Sequence, residues 1–408
     1  MSFIDRELQP RPKSGEAPFG LQEVFFSRTD ARGVIQAGNQ VFSRVADYAL
    51  EEMIGAPHKL IRHPDMPKGV FQLLWDTIRN GETVGAYVKN KARDGLYYWV
   101  FAVVTPCGDG YLSARIKPTS PLKDQVEKEY AALLSAERNE GLTPEESAAR
   151  LQGRIGELGF ATYHDFAGHA LAEELLARDA GLNRKPDGRI SDFRKMLANA
   201  EQLVSETEAL IRDFDAMRTI PHNLRVIASR IEPAGGPVTV LSQNYGAISR
   251  EMSGWFESHV KGEGSNFRAI RGTVNEAMFV ETLARILTAC DRQLTREGDG
   301  VTAIDAQAEQ RILGSLAQSR LAGARDSLAA VDTEAAKITA ACETMHRNFL
   351  ALSTTRVLCK IESARLGSSG EALESIIDQL GAFQDRVSKR LETIMDLGKT
   401  IRALEHWG

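Results

Sequence analysis

The sequence predicts an α+β domain, a five-stranded antiparallel sheet with helices on one face, followed by an all-α extended helical bundle or coiled coil. Between residues 20 and 118, runs rich in aromatic and β-branched residues occur in the order two strands, short helices, three strands, which favours helices packed on one side of an antiparallel sheet. From residue 121 onward strand-like runs disappear, and the helix formers Ala, Glu, Leu, Arg and Gln dominate. A chain of 408 residues is long enough for both parts.

The predicted strands are separated by turn sequences. The segment EVFFSRTDARGVIQAGN contains two β-type runs on either side of DARG. The segment GAYVKNKARDGLYYWVFAVVTPCGDGYLSARIKP contains three more, divided at RDG and CGDG, where Asp-Gly favours tight hairpins. The run LYYWVFAVV has the composition of a central strand. Between the two groups of strands, helical patterns end at Gly55 and Gly81, as expected for C-terminal stops.

We therefore expect three parts, a polar N-terminal cap at 1–19, the α+β domain at 20–118 and a helical region at 119–408. In the helical region, Thr143 and Glu146 have the spacing of a capping box at a helix start. Apolar residues recur there at spacings of three and four over long segments, which is typical of an extended bundle or coiled coil.

Two segments of the helical region resemble each other. Each contains Arg-Val, an apolar stretch, Ile-Glu, small residues with glycine and a new helical run; Arg225 and Arg356 are 131 positions apart, and the two Ile-Glu pairs are 130 apart. A helical hairpin with a glycine-containing turn fits this pattern. We expect hairpin tips near 231–237 and 361–370, with chance similarity between Ala-rich helices as the alternative.

Composition and charge exclude several classes of protein. The net charge of −5 gives no basis for a nucleic-acid partner, and no apolar run approaches the ~20 residues of a membrane span. The polar start is unlike a secretory signal. Four scattered cysteines fit reduced thiols in a cytoplasm and give neither a zinc spacing nor a disulfide framework. We therefore expect a cytoplasmic protein that binds no metal.

The segment from 20 to 118 resembles the PAS domain of bacterial aerotaxis receptors. The resemblance is carried by PHKLIRHPDMP, by the helix that follows it and by VKNKARDGLYYWV. It implies that the domain binds FAD without a covalent bond, and that the redox state of the flavin reports on oxygen and electron transport. The residues that it assigns to the cofactor site are Arg62, His63, Asp65, Trp75, Asn90 and, as a further member of the motif, His58.

The chemistry of these residues agrees with a flavin site but leaves alternatives open. The forked guanidinium of Arg62 can bind a phosphate or carbonyl oxygen, and Trp75 can pack on a planar ring. Heme b is the alternative cofactor, with His58 or His63 as an axial ligand. A third alternative is a pocket without a cofactor, in which the polar residues bind one another.

The helical region resembles, less closely, the signalling hairpin of methyl-accepting chemotaxis proteins. The run IESARLGSSGE is similar to the tip of that hairpin, and it places Glu362 and Arg365 at the charged positions that contact a histidine kinase and its coupling protein. The chain departs from the family because it contains two degenerate tips, and the first has Pro233 where a helix former is expected. Long amphipathic helices and PAS domains both favour a homodimer.

The sequence thus predicts a redox or oxygen sensor of signal transduction, in which FAD in the PAS domain controls a helical output region. It contains no P-loop, no GxSxG elbow and no zinc spacing, so we expect no enzymatic activity. The alternatives are a heme-binding gas sensor and a cofactor-free dimerisation scaffold.

Overall fold

A five-stranded antiparallel sheet organises the N-terminal part of the protein. The computed structural model describes residues 10–216, 219–231, 236–259, 266–298, 304–365 and 371–405. The strands are β1 (Val24–Asp30), β2 (Ile35–Gly38), β3 (Val84–Lys91), β4 (Tyr97–Cys107) and β5 (Gly110–Ile116). Their order across the sheet is β2-β1-β5-β4-β3. The predicted fold class is therefore confirmed.

Short helices cover one face of this sheet. They are α1 (Gln40–Ala46), α2 (Leu50–Met53), a 3-10 helix (His58–Ile61) and α3 (Lys68–Arg79). Asn39 caps α1, because its Oδ1 accepts from the backbone N–H of Phe42 and also from that of Phe26 on β1. Pro67 precedes α3 and has an extended backbone, which turns the chain before the helix starts.

The remaining elements are helices, and their bounds are α4 (Pro121–Glu140), α5 (Pro144–Glu157), α6 (Tyr163–Gly181), α7 (Gly188–Ala216), α8 (Ile220–Ile231), α9 (Pro237–His259), α10 (Asn266–Glu297), α11 (Ala306–Arg365) and α12 (Glu371–Glu405). The expected capping box is present at α5, where the Thr143 hydroxyl accepts from the Glu146 N–H and the Glu146 carboxylate accepts from the Thr143 N–H. The chain divides into two compact units, Met1–Ser191 with Asn275–Arg325 and Asp192–Val274 with Asp326–Gly408.

In the first unit, helices also cover the second face of the sheet. The buried Glu174 of α6 accepts hydrogen bonds from the Tyr87 hydroxyl on β3 (2.7 Å), from the Ser120 hydroxyl (2.6 Å) and from the backbone N–H groups of Thr119 (2.6 Å) and Ser120 (3.0 Å). Burial, with Glu174 as a second cause, raises the pKa of Tyr87. The Glu174 carboxylate thus links α6 to β3 and to the start of α4.

Helix α5 packs against the outer side of α3 at a glycine. A Cβ on Gly69 would lie 2.3 Å from the Ser147 hydroxyl oxygen, so only glycine allows the two helices to approach this closely. The buried Glu137 of α4 accepts from the Gly69 N–H at 3.1 Å and from the Ser147 hydroxyl at 2.6 Å. Helix α3 therefore packs against the sheet on its inner side and against α5 on its outer side.

The second unit is built from two helical hairpins with matching patterns of burial. We call α7 and α8, before the first tip, and α9, after it, the first hairpin; α8 and α9 are in contact. Helices α11 and α12 form the second hairpin, with an ion pair between Lys360 and Asp378 at 2.9 Å. Buried positions of α7 and α8 recur in α11 at a constant separation of 135 residues, as in the pairs Met196 and Val331, Ala200 and Ala335, Leu203 and Ile338, Leu210 and Met345, Phe214 and Phe349, Leu224 and Cys359, and Ala228 and Ser363.

The same separation continues beyond the tips, where Val238 and Tyr245 of α9 correspond to Leu373 and Leu380 of α12. Residues 232–235 and 366–370 of the two predicted tips lie outside the described residues. The separation of 135 differs by 4 residues from the 131 that joins Arg225 and Arg356, which is close to one helical turn of 3.6 residues and keeps roughly the same helix face inward. It differs by 5 residues from the 130 that joins the Ile-Glu pairs, which turns the helix face by about 140°, so the Ile-Glu pairs are not equivalent positions of the buried pattern.

The two hairpins pack on each other in the second unit. Phe214, Phe349 and Phe383 meet edge to face, with ring centroids 5.4 to 5.9 Å apart. The Arg390 guanidinium on α12 binds the carboxylates of Asp213 (2.8 Å) and Glu206 (2.6 Å) on α7. One chain therefore supplies both halves of this core.

We predict that equivalent positions of the two hairpins contribute equally to stability. Leu203→Ala and Ile338→Ala should each lower the free energy of unfolding by about 3 kcal/mol, because each removes a buried aliphatic side chain and leaves a cavity. Urea unfolding followed by circular dichroism measures both, with the exposed Leu358→Ala as control. A loss confined to one of the two variants would contradict the equivalence.

We predict that Glu174 stabilises the first unit through its hydrogen bonds. Glu174→Ala leaves four donors without their acceptor and should lower the free energy of unfolding by about 3 kcal/mol, while Tyr87→Phe removes one donor and should cost about 1 kcal/mol. The control, Glu157→Ala, changes a side chain that is 67% exposed. Equal effects of Glu174→Ala and Glu157→Ala would refute the prediction.

Candidate ligand-binding site

A cavity of about 220 Å³ lies between the sheet and the helices of its first face. The sheet contributes residues from β1, β3, β4 and β5, and the helical side contributes residues from the 3-10 helix and α3. The lining includes Val88, Asn90, Ala102, Val104, Tyr111, Ser113 and Arg115 on the sheet, and His58, Arg62, Phe71, Leu74 and Trp75 on the helical side.

Strand alternation brings the sheet residues to one face. Ala102 pairs with Arg115, and Val104 pairs with Ser113, across the β4–β5 ladder, and paired residues point to the same side of a sheet. Because Ala102 and Ser113 are small, they leave space above the centre of the sheet. The cavity therefore follows from the register of the sheet and the size of these side chains.

Aromatic side chains form one wall of the cavity. The Trp75 ring from α3 meets the Tyr111 ring edge to face, with centroids 5.7 Å apart. Gly33, in the β1–β2 turn, has φ of +80°, and a Cβ there would lie 3.0 Å from the Trp75 ring. The turn needs glycine both for its backbone conformation and for the close approach of Trp75.

Arg62 and Asn90 lie next to each other at the edge of the cavity. Their backbones form an isolated antiparallel bridge, and the Arg62 guanidinium carbon lies 3.5 Å from the centre of the Phe71 ring. Stacking on an aromatic ring leaves the guanidinium edge available for a ligand. Burial lowers the pKa of Arg62.

Arg115 and His58 form the polar part of the cavity wall. The Nη2 atom of Arg115 donates to the Ser27 hydroxyl at 2.8 Å and lies 2.5 Å from Nε2 of His58. Because a guanidinium can only donate, Nε2 of His58 must accept, and the proton of this imidazole is on Nδ1. Burial and the positive charges of Arg115 and Arg62 lower the pKa of His58 well below its usual value, which agrees with a neutral ring.

Two buried polar atoms of this wall have no hydrogen-bond partner among the described residues. They are Nη1 of Arg115 and Oγ of Ser113, in residues that are 3% and 7% exposed. Burial lowers the pKa of Arg115 to about 10. Unpaired buried donors are costly, so a ligand that supplied acceptors to these two atoms would stabilise this part of the wall.

The structure places four of the six cofactor residues expected from the sequence in the cavity wall, namely His58, Arg62, Trp75 and Asn90. The other two, His63 and Asp65, lie beside it. The Asp65 carboxylate accepts from Lys89 at 3.0 Å, and the Asp65 N–H donates to Nδ1 of His63 at 3.1 Å. Lys89 lowers the pKa of Asp65, first through this hydrogen bond.

The proposed partner-binding residues lie far along the chain in α11. Glu362 and Arg365 belong to the end of this helix, and their side chains are outside the part that the structure describes. Nothing about their contacts follows from the fold.

Sequence reasoning missed Arg115 and Ser113. The available signal was the run GYLSARI, in which Ser113 and Arg115 alternate with Leu112, Ala114 and Ile116. An arginine within a strand that is otherwise apolar suggests a polar side chain on one buried face. Its significance depends on what covers that face, which the run itself does not reveal.

The cavity suits a planar ligand with a polar edge. Trp75, Tyr111, Val88 and Ala102 offer apolar contacts, and the unpartnered atoms of Arg115 and Ser113 offer donors on one side. These residues fit a flavin ring system, which is flat and carries hydrogen-bonding groups along its pyrimidine edge. They fit heme less well, because the Nε2 lone pair of His58 already accepts from Arg115.

Comparison with known proteins agrees with the fold. The sequence model of the PAS fold matches residues 37–111. The aerotaxis receptor of Escherichia coli (strain K12) is 36% identical over 147 residues, which make up 35% of this chain and 28% of that receptor. A nitrogen fixation regulatory protein of Klebsiella pneumoniae is 31% identical over 83 residues, or 20% of this chain and 17% of that protein. The chain thus spans less than a third of either relative.

Solved structures are matched at lower identity. A light-oxygen-voltage domain studied with a flavin analogue is 22% identical, with 29% of this chain and 87% of that chain covered and a TM-score of 0.22. The chain therefore carries a PAS domain similar to that of an aerotaxis receptor, followed by a helical region. Within the described ranges, no helix has the length and apolar character to cross a bilayer, and no cluster of His, Cys, Asp and Glu could hold a metal ion.

We predict that His58 is neutral, with its proton on Nδ1, throughout the range in which histidine usually titrates. Because its pKa is lowered by folding, the stability that it contributes is complete above the unfolded pKa of about 6.5 and is lost as the pH falls below it. Nitrogen NMR of the ring identifies the tautomer, and urea unfolding at several pH values compares the protein with His58→Gln. A His58 ring that titrates near its ordinary pKa would contradict the assignment.

Proposed function

We propose that this protein is a redox or oxygen sensor of signal transduction, in which the PAS domain binds FAD and controls the helical region. The observation that carries the proposal is the pair of unpartnered buried donors, Nη1 of Arg115 and Oγ of Ser113, in an apolar, aromatic-walled cavity. Similarity of the domain to an aerotaxis receptor supports the same function. A flavin, when bound, supplies reversible electron transfer.

The residues of the cavity wall would hold the flavin in different ways. Trp75 and Tyr111 pack against its ring system and exclude water. Asn90, which is 3% exposed, presents an amide that can both donate and accept. Arg62, which is exposed at the cavity edge, is suited to the phosphates of FAD. His63 and Asp65 support this arrangement from outside by fixing the segment that follows Arg62.

The first unit contains a path from the cavity to the helices. Arg115 is in β5, and the segment just after β5 is bound to Glu174 through the N–H groups of Thr119 and Ser120. A change in hydrogen bonding at Arg115 would shift β5 and therefore the start of α4. Such a shift would favour one of two arrangements of these helices.

The helical region would pass the signal on by contact, without catalysis of its own. We propose the chemotaxis histidine kinase and its coupling protein as partners of a cytoplasmic homodimer, on the basis of the resemblance at Glu362 and Arg365. A pull-down with both partners tests this output, with Glu362→Ala/Arg365→Ala as the matched variant. Equal binding by the protein and this variant would remove these residues from the interface.

We predict that the purified protein has the absorption bands of oxidised flavin, and that acid extraction releases FAD. Asn90→Leu and Trp75→Ala should lower flavin content about tenfold or more, because each removes a direct contact of about 1.5 kcal/mol or more, while Arg150→Gln on the exposed surface of α5 should leave it unchanged. A Soret band would support heme. A colourless protein after reconstitution with FAD would support the scaffold alternative.

A further inference from the structure

We infer that Arg115 and Ser113 receive the pyrimidine edge of the bound flavin and stabilise the negative charge that this edge carries after reduction. The inference rests on the proposed function and deepens it, because it names the residues that set the balance between oxidised and reduced flavin. On this inference, Arg115 gives the cavity a preference for a ligand whose bound edge is negatively charged over one whose edge is neutral.

The two terminal nitrogens of the Arg115 guanidinium have different contacts. Nη2 is bound to Ser27 and His58, whereas Nη1 is buried and has no hydrogen-bond partner among the described residues. The guanidinium carbon lies 5.0 Å from the centre of the Phe42 ring. A buried charge with unsatisfied donors destabilises a protein unless an acceptor is supplied. Since Arg115 also lines the cavity, a ligand bound there is close enough for its polar edge to supply this acceptor.

The cavity wall carries positive charge. Its described lining includes four basic residues, Arg32, Lys59, Arg62 and Arg115, and no Asp or Glu. Arg115 is buried, whereas the other three are exposed. A dinucleotide cofactor matches this division, with its pyrophosphate near the exposed cations and its ring near the buried one.

His58 lies beside the Arg115 guanidinium. Its neutral imidazole accepts from Nη2 of Arg115, which orients the guanidinium without neutralising its charge. A carboxylate in the same place would cancel the positive charge and lower its effect on a ligand. His58 is therefore a positioning residue, and the full charge of Arg115 acts on the cavity.

The chemistry of reduction explains why this charge matters. Two electrons and one proton added to an oxidised flavin leave it with one negative charge, which is shared by N1 and the C2 carbonyl oxygen of the pyrimidine ring. A cation near N1 lowers the free energy of this form relative to the neutral oxidised form. Dithionite supplies the electrons in the test below, and water supplies the proton.

The test compares the affinities of the 408-residue chain for oxidised and reduced FAD, obtained from a redox titration with dithionite and from direct binding of oxidised FAD. Arg115→Met should lower the affinity for reduced relative to oxidised FAD by about ten- to a hundredfold, as expected for a lost hydrogen bond to a charged group. Arg115→Lys should lose less, because it keeps the charge. Arg150→Met makes the same change on an exposed surface and should have no effect.

Ser113→Ala provides a second, milder variant in case Arg115→Met does not fold. It should lower the same affinity ratio by about three- to tenfold, since it removes one neutral hydrogen bond.

If FAD binds and neither variant changes the ratio, the inference is overturned and the proposed function stands. If the wild-type protein binds no FAD, the proposed function itself fails. Loss of both forms in equal measure would assign Arg115 to general binding and overturn its preference for the reduced state.

Discussion

The arrangement of the PAS domain depends on how one buried guanidinium is held. Arg115 is on a central strand between β1 and β4, so its side chain cannot reach the edge of the sheet. A hydroxyl from β1 and a neutral imidazole from the 3-10 helix bind one nitrogen of the guanidinium, and no carboxylate lines the cavity. The guanidinium thus links β5 to β1 and to the 3-10 helix.

The two faces of the sheet treat their buried charges in opposite ways. Glu174 on the second face has four hydrogen bonds to its carboxylate, which is the environment of a structural group. Arg115 on the first face is left with an unpartnered nitrogen. Since buried polar atoms are usually satisfied, this contrast within one domain separates Glu174, which stabilises the fold, from Arg115, for which we propose a ligand-binding role.

The sequence predicted the parts of the molecule that depend on local chemistry. Asp-Gly turns and aromatic strands located the five strands, and a recognisable motif located Arg62, Trp75 and Asn90. The network of Arg115 could not be predicted, because its partners Ser27 and His58 are 88 and 57 positions away. Asp65 is close to Arg62 in the chain, but its carboxylate binds Lys89 of strand β3, outside the cavity. The sequence does not show that Lys89 lies next to Asp65.

The repeated hairpins of the second unit have an evolutionary consequence. In a homodimer, a single codon change alters both subunits, so the two sides of a bundle must remain identical. Here each side has its own codons and can change alone. Leu358 on α11 is an apolar residue that is 52% exposed. The equivalent residue of the first hairpin, 135 positions earlier, is the polar Asn223. Natural selection can thus give the two sides of one core different surfaces while the buried pattern is kept.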